Sequence, residues 1–68
     1  LGVEKSLEKA VFWYEKAANQ GHSFAMYNLG LCLIQGRGVK RDFQKGAEWM
    51  ARAANQGVVE AQFTLGLC

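Results

Sequence analysis

Apolar and small residues recur along this chain at the spacing of one face of an α-helix. They stand at positions i, i+3, i+4 and i+7, and no stretch shows the apolar–polar alternation of a half-buried strand. The pattern predicts an all-α fold with helices near 6–20, 23–35, 42–56 and 59–68. The residues expected on the buried faces are Leu7, Ala10, Val11, Tyr14, Ala17 and Ala18; Ala25, Leu29, Cys32 and Leu33; and Phe43, Gly46, Ala47, Met50, Ala53 and Ala54.

Short polar residues and glycines mark where the predicted helices begin and end. Ser6 and Asp42 are candidate N-caps, because a short side-chain oxygen can accept a free backbone N–H of the first turn. Gly21 and Gly57 are candidate terminators in the left-handed conformation. The loop that follows residue 35 contains Val39, which we expect to anchor it to the core.

Glycine also occurs inside predicted helices, at Gly30 and Gly66. Each costs about 1 kcal/mol relative to alanine in a helix interior. Since the same cost recurs at equivalent positions, we expect a close helix crossing there, where the missing side chain lets a neighbouring backbone approach.

The chain repeats itself with a period of 36 residues. The sequence of 17–21 returns at 53–57, the sequence of 29–32 returns at 65–68, and Trp13 aligns with Trp49. A period of this length in a helical pattern indicates stacked helix pairs, an α-solenoid. We therefore treat residues 1–68 as a single repeat domain. The chain opens out of phase with its own repeat, so we expect it to be an excerpt of a longer array.

Composition and charge exclude several classes of function. Half of the residues are hydrophobic, 21% are charged and the net charge is +2. This composition is ordinary for a globular chain, and the net charge is too small to indicate a nucleic-acid partner. No apolar run approaches the ~20 residues that cross a bilayer, so we expect no membrane span.

Candidate chemistry is sparse. His22 has no companion histidine, the carboxylates show no pairing in an apolar setting, and the Gly36-x-Gly38 pair follows a helix and lacks the third glycine of a dinucleotide fingerprint. Cys32 and Cys68 stand one repeat apart, farther than the ~7 Å between Cα atoms that a disulfide tolerates. We therefore expect no enzyme, no cofactor and no metal, and cysteines that act as small apolar fillers.

Two features leave a structural and a functional interpretation open. Arg37, Lys40 and Arg41 form a small basic cluster, which is either solvated or faces a phosphate or an acidic peptide. Trp13 and Trp49 either pack between units, the interpretation we favour, or serve as interface anchors.

Several motifs together resemble the Sel1-like repeat, a relative of the tetratricopeptide repeat. They are Ala-x-x-x-Leu-Gly over 25–30, Gly-x-Gly-Val over 36–39, Trp49, and Ala-Ala-x-x-Gly over 53–57, so that one whole repeat covers about Ser23–Gly57. The resemblance implies a right-handed α-solenoid of antiparallel helix pairs. It also implies an adaptor role in protein–protein contacts, with the helix of 23–35 and its copy near 59–68 lining the concave face.

The function expected from these observations is a protein-interaction scaffold for a protein or peptide partner. The alternative is a structural or regulatory spacer within a larger enzyme or signalling protein. Positions that flank the buried stripe of the second helix type are the candidate partner-binding residues: Tyr27, Asn28, Leu31, Gln35, Phe63 and Thr64. Self-association is also expected, through Val11, Phe12 or Tyr14 of the first helix and Phe63, Leu65 and Leu67 of the last.

Overall fold

The structure, a computed structural model, describes the backbone of residues 2–67 and the side chains of residues 6–65. The described backbone is helical, with turns between the helices and no strand. The helices are α1 (Gly2–Asn19), α2 (Ser23–Gln35), α3 (Phe43–Asn55) and α4 (Val59–Leu67). The predicted all-α class is confirmed.

The predicted start of α1 is wrong. The helix begins at Gly2, so Ser6 lies within it as an exposed residue and caps nothing. The residues before Ser6 include Glu4 and Lys5, which are good helix formers, and no proline interrupts them. Each residue that joins an existing helix adds a backbone hydrogen bond, and this outweighs the single bond that a serine cap would offer.

The predicted start of α3 is confirmed. Asp42 has an extended backbone, with φ −148°, and its Oδ1 accepts a hydrogen bond from the backbone N–H of Lys45 at 3.1 Å. The predicted terminators are confirmed as well, since Gly21 and Gly57 have φ of 96° and 95°. After each terminator the chain folds back on the helix, and the N–H groups of His22 and Val58 donate to carbonyls five residues earlier, both at 3.1 Å.

Helices that are consecutive in the chain pack on each other, and the contact between α2 and α3 is the most extensive. Their buried side chains form one core, in which Met50, Ala53 and Ala61 are fully enclosed. The core residues are Val11, Ala18, Ala25, Met26, Leu29, Leu33, Met50, Ala53, Val58 and Ala61. The predicted buried face of α3 is wrong at Phe43, which is 58% exposed, and at Ala47, which is also exposed. Phe43 is the first residue of α3, where its ring meets the guanidinium of Arg41 at 4.7 Å, and Ala47 lies at the edge of the apolar stripe.

The close crossing expected at Gly30 is confirmed. A Cβ atom at Gly30 would stand 3.0 Å from the carbonyl oxygen of Gly46 and 3.2 Å from the backbone nitrogen of Met50. A Cβ at Gly46 would stand 3.0 Å from the carbonyl oxygen of Gly30. The two glycines therefore face each other where α2 and α3 cross. The surroundings of Gly66 lie outside the described side chains.

The loop between α2 and α3 lies against the first half of α1. Gly38 has φ 73°, and a Cβ there would stand 2.7 Å from the carbonyl carbon and oxygen of Leu7. Val39 is half-buried and packs against the core, as its predicted anchoring role requires. The N–H of Asp42 donates to the carbonyl of Leu33 at 2.8 Å, which ties the end of the loop back to α2. The loop is thus positioned next to the groove between α1 and α2.

Candidate partner-binding surface

The solvent side of α2 carries a stripe of four residues, which we call the α2 stripe: Phe24, Asn28, Leu31 and Gln35. Their spacing of four, three and four residues places them on one face of the helix. Phe24 is 62% exposed, Gln35 is exposed, and Asn28 and Leu31 are half-buried. The stripe therefore presents an aromatic ring, an aliphatic side chain and two amides to solvent.

Part of this stripe borders a cleft of about 240 Å³ between α1 and α2, the α1–α2 cleft. It is lined by Leu7, Ala10, Tyr14, Asn28, Leu31, Cys32, Gln35 and Arg37. Three of the six predicted partner-binding residues, Asn28, Leu31 and Gln35, thus meet at one depression. The opposite wall is formed by α1 residues that were predicted as buried and are half-buried in the structure.

A second depression of about 420 Å³, the loop cleft, lies between α1 and the loop that follows α2. It is lined by Leu7, Glu8, Gly36, Arg37, Gly38, Val39 and Lys40. Leu7 and Arg37 line both clefts. The two depressions are therefore contiguous, and the predicted basic cluster borders the second.

The other three predicted partner-binding residues do not line either cleft. Tyr27 is half-buried and packs against the core. Phe63 is 69% exposed on α4. Thr64 is half-buried, and its hydroxyl donates to the carbonyl of Glu60 at 2.8 Å, so its proton is used within its own helix.

Sequence reasoning missed Phe24 and the α1 side of the cleft. Phe24 continues the stripe one turn before Asn28, so extending the same face toward the start of α2 finds it. No comparable signal identifies Tyr14, because its spacing marks it as a core residue. Only the way α1 crosses α2 leaves its ring at the wall of an open cleft.

Cys32 is a half-buried free thiol on the wall of the α1–α2 cleft. Burial raises the pKa of the Cys32 thiol above its usual value, and the positive charge of Arg37 opposes this shift in part. The thiol is therefore mostly protonated at neutral pH, and the protonated form is a poor nucleophile and metal ligand. Cys68, which the sequence predicts not to pair with Cys32, lies outside the described residues.

The two tryptophans have different surroundings. Trp49 is half-buried against the core, as the packing interpretation requires, whereas Trp13 is 63% exposed among the described residues, which do not bury it. The Nζ of Lys16 lies 5.5 Å from the ring centroid of Trp13, and the guanidinium of Arg52 lies 5.1 Å from that of Trp49. Both units thus place a cation over the tryptophan three residues earlier. Trp13 lacks a comparable apolar cover among the described residues.

The residues predicted for self-association also differ in how exposed they are. Phe12 is exposed and meets Trp13 edge-on, with 5.7 Å between ring centroids. Val11 is only 5% exposed, so it was wrongly assigned to a free surface; it faces α2 within the core. Tyr14 and Leu65 are half-buried. The side chain of Leu67 lies outside the described residues.

The part of the chain that the structure describes holds no group of three or more His, Cys, Asp or Glu side chains able to hold a metal ion. His22 lies exposed in the turn before α2, and its side chain makes no capping hydrogen bond. Within the same residues, no helix is both long enough and apolar enough to cross a membrane.

Comparison with known proteins identifies the family. The Sel1 repeat matches residues 1–22 and then residues 23–58, a second unit that begins at the first residue of α2. A Sel1-like repeat-containing protein of Acanthamoeba polyphaga mimivirus is 57% identical over 30 residues, which are 44% of this chain and 6% of that relative. The chain thus corresponds to a small part of the relative's length. The repeat matches cover most of the 68 residues, and the chain belongs to the Sel1 repeat family.

Proposed function

We propose that this chain is a protein-interaction scaffold that holds a peptide or protein partner along the α2 stripe and in the α1–α2 cleft. The observation that carries the proposal is the meeting of Asn28, Leu31 and Gln35 with the α1 wall in one open cleft. The family supports it, since Sel1 repeats are non-catalytic repeat folds that generally serve as protein-interaction modules.

The shape and chemistry of the surface favour a macromolecular partner. Sites for small molecules enclose about 300–1,000 Å³ and cover most of the ligand. The α1–α2 cleft, at about 240 Å³, is smaller, and it and the loop cleft of about 420 Å³ are open depressions that would leave much of a small ligand exposed. An exposed aromatic ring such as Phe24, bordered by amides, is the kind of anchor on which protein interfaces depend. A side chain of the partner fits the cleft, and the rest of the partner covers the stripe.

The proposed surface extends to the next unit through Phe63 and Thr64. Phe63 occupies the position of Tyr27 one repeat later, and Thr64 that of Asn28. Stacked repeats present equivalent positions along one continuous surface. An extended partner would therefore contact both copies, with the large exposed ring of Phe63 as its contact on α4.

Affinity capture with matched variants tests the proposed function. The test variant combines Phe24→Ala and Gln35→Ala, both exposed, so that folding is preserved. The control combines Phe43→Ala and Gln44→Ala, which remove the same residue types from exposed positions on α3, outside both clefts. Immobilised proteins are exposed to an extract of the source cells, and captured proteins are quantified by mass spectrometry.

We expect a specific partner to be retained by the wild type and the control and to be reduced about tenfold or more by the test variant. Binding of the purified partner is then titrated against the same three proteins. A partner that binds the test variant as tightly as the wild type would place the interaction elsewhere and contradict the proposal. Circular dichroism of each variant verifies that its helices are intact.

A further inference from the structure

We propose, on the basis of the proposed function, that the two contiguous clefts accept an extended acidic peptide segment: an apolar side chain of the partner enters the α1–α2 cleft, and neighbouring Asp or Glu side chains lie along the loop cleft. This gives the partner a chemical class. We call the groove formed by the α1–α2 cleft and the loop cleft the joint groove.

Continuity of the two clefts is the first observation. Leu7 and Arg37 line both, so the two clefts are adjacent and an extended chain that leaves one can reach the other past these two side chains. The loop that forms the far wall is held in place by contact between Gly38 and the backbone of Leu7. The joint groove is therefore a built feature of the fold, whose two ends differ in chemistry.

The end between α1 and α2 suits an apolar side chain. Leu7, Ala10 and Leu31 supply aliphatic surface, and the volume of about 240 Å³ is that of a depression for one side chain. The amides of Asn28 and Gln35 stand at its border, and each offers donors and an acceptor. Such groups can pair with the backbone of an extended peptide, whose N–H and C=O groups need partners once water is displaced.

The end beside the loop is positively charged. Arg37 and Lys40 line the loop cleft, and both side chains are exposed. Arg41 follows directly, but its guanidinium lies 4.7 Å from the ring centroid of Phe43 on α3, and it lines neither cleft. Glu8 also borders this cleft, but its one negative charge is outnumbered by Arg37 and Lys40, so the net charge of the lining is positive. The field of Arg37 also reaches into the other end, because its charge lowers the pKa of Cys32 against the effect of burial. An anionic segment is thus favoured in the loop cleft and, through Arg37, where the two clefts meet.

Spacing of the cations favours acidic side chains over other anions. Arg37 and Lys40 stand three residues apart on an exposed loop, which fits separate carboxylates better than one enclosed terminal carboxylate. Nucleic-acid binders that depend on charge commonly neutralise 6–10 phosphates, roughly, and this chain has a net charge of only +2. The apolar end has no counterpart in a phosphate backbone. An acidic segment with an apolar residue matches both ends.

The test is a fluorescence-anisotropy titration with synthetic peptides. The probe is an amidated, fluorescein-labelled peptide with one leucine followed by three glutamates in a glycine–serine frame. One comparison peptide carries glutamine in place of each glutamate, and another carries serine in place of the leucine. Single-stranded DNA of similar length, with the same label, reports whether the basic loop instead binds phosphates.

Matched charge variants locate the binding site. The test variant combines Arg37→Glu and Lys40→Glu, and the control combines Lys9→Glu and Lys16→Glu. Both change the net charge equally, and all four residues are exposed, but the control residues line neither cleft. In addition, the bound probe should slow alkylation of Cys32 in a Cys68→Ser chain, since Cys32 lines the α1–α2 cleft.

We expect the test variant to weaken probe binding about five- to tenfold and the control less than twofold, because exposed charge pairs act mainly over short distances. The glutamine and serine peptides should each bind several-fold more weakly than the probe. Equal losses in test and control variants, absence of probe binding, or tighter binding of DNA would each overturn the inference. If a cellular partner still depends on Phe24 and Gln35 in that case, the proposed function stands and only the acidic chemistry fails.

Discussion

Replacing Gly46 by alanine should destabilise the protein, although alanine is the better helix former. Gly46 is buried within α3, where it crosses α2. A Cβ there would stand 2.7 Å from Cγ1 of Ile34, 3.0 Å from the carbonyl oxygen of Gly30 and 3.1 Å from the backbone nitrogen of Ile34. The contacts with backbone atoms cannot be relieved by a rotamer change, so the two helices must move apart.

Two opposing effects set the magnitude. Alanine in place of glycine would stabilise a free helix by about 1 kcal/mol. Overpacking of a tight core contact costs about 1–3 kcal/mol, and here the contact involves backbone on both sides, which places the cost near the upper end. The net expectation is a loss of about 1–2 kcal/mol. For a chain of this size, each 1 kcal/mol lowers Tm by about 4–8 °C.

Urea and thermal unfolding, followed by circular dichroism at 222 nm, measure the change. Ala47→Gly is the matched control, because Ala47 is the exposed neighbour in the same helix; it should cost about 1 kcal/mol through helix propensity alone. Ile34→Ala removes the nearest side-chain contact, so in combination with Gly46→Ala it should recover part of the loss in a double-mutant cycle. If Gly46→Ala raised the stability by about 1 kcal/mol, the close-crossing argument would be refuted.

Three further predictions concern the cap, the thiol and the exposed aromatics. Asp42→Ala should lower the free energy of unfolding by about 1 kcal/mol, because it removes the hydrogen bond from the N–H of Lys45, whereas Ser6→Ala should not lower it. If urea titrations gave the reverse ranking of the two variants, the assigned helix starts would be contradicted. In a Cys68→Ser chain, Cys32 should be alkylated more slowly at pH 8 than a free thiol, because its raised pKa leaves less thiolate. Arg37→Ala removes the charge that lowers this pKa, so it should slow the alkylation further. Faster alkylation of the Arg37→Ala variant would contradict the prediction. We expect the 68-residue chain to associate with increasing concentration in sedimentation velocity, since Trp13 and other large apolar side chains are exposed, and Trp13→Glu to reduce association; a strictly monomeric wild type would count against it.

Local patterns were sufficient for most of the helices. The bounds of α2 match the prediction, because its apolar spacing is regular and Gly21 and Gly36 bracket it. Asp42 begins α3 through a contact only three residues away. These are short-range properties of the chain, so a single sequence contains the information. The predicted start of α1 was wrong because Ser6 can serve as a cap or as an ordinary helical residue, and local spacing does not distinguish the two.

The candidate site was only partly predictable. Helical spacing places Asn28, Leu31 and Gln35 on the flank of α2, and the structure brings these three to one cleft. The opposite wall, which includes Tyr14, comes from another helix and depends on the crossing of α1 and α2. The continuity with the basic loop depends on Gly38, which lets the loop lie on the backbone of Leu7. Neither relation is expressed in the spacing of residues along one helix.

The two tryptophans separate what the sequence determined from what the tertiary structure decided. Trp13 and Trp49 occupy equivalent positions of a 36-residue repeat, and both have a cation three residues later, so the sequence determines the same helix and the same local partner for each. Yet Trp13 is largely exposed and Trp49 is half-buried. Among the described helices, α3 has extensive contacts with both α2 and α4, whereas the main neighbour of α1 is α2. Periodicity fixes which direction a side chain takes from its helix, but its burial depends on whether another helix lies in that direction.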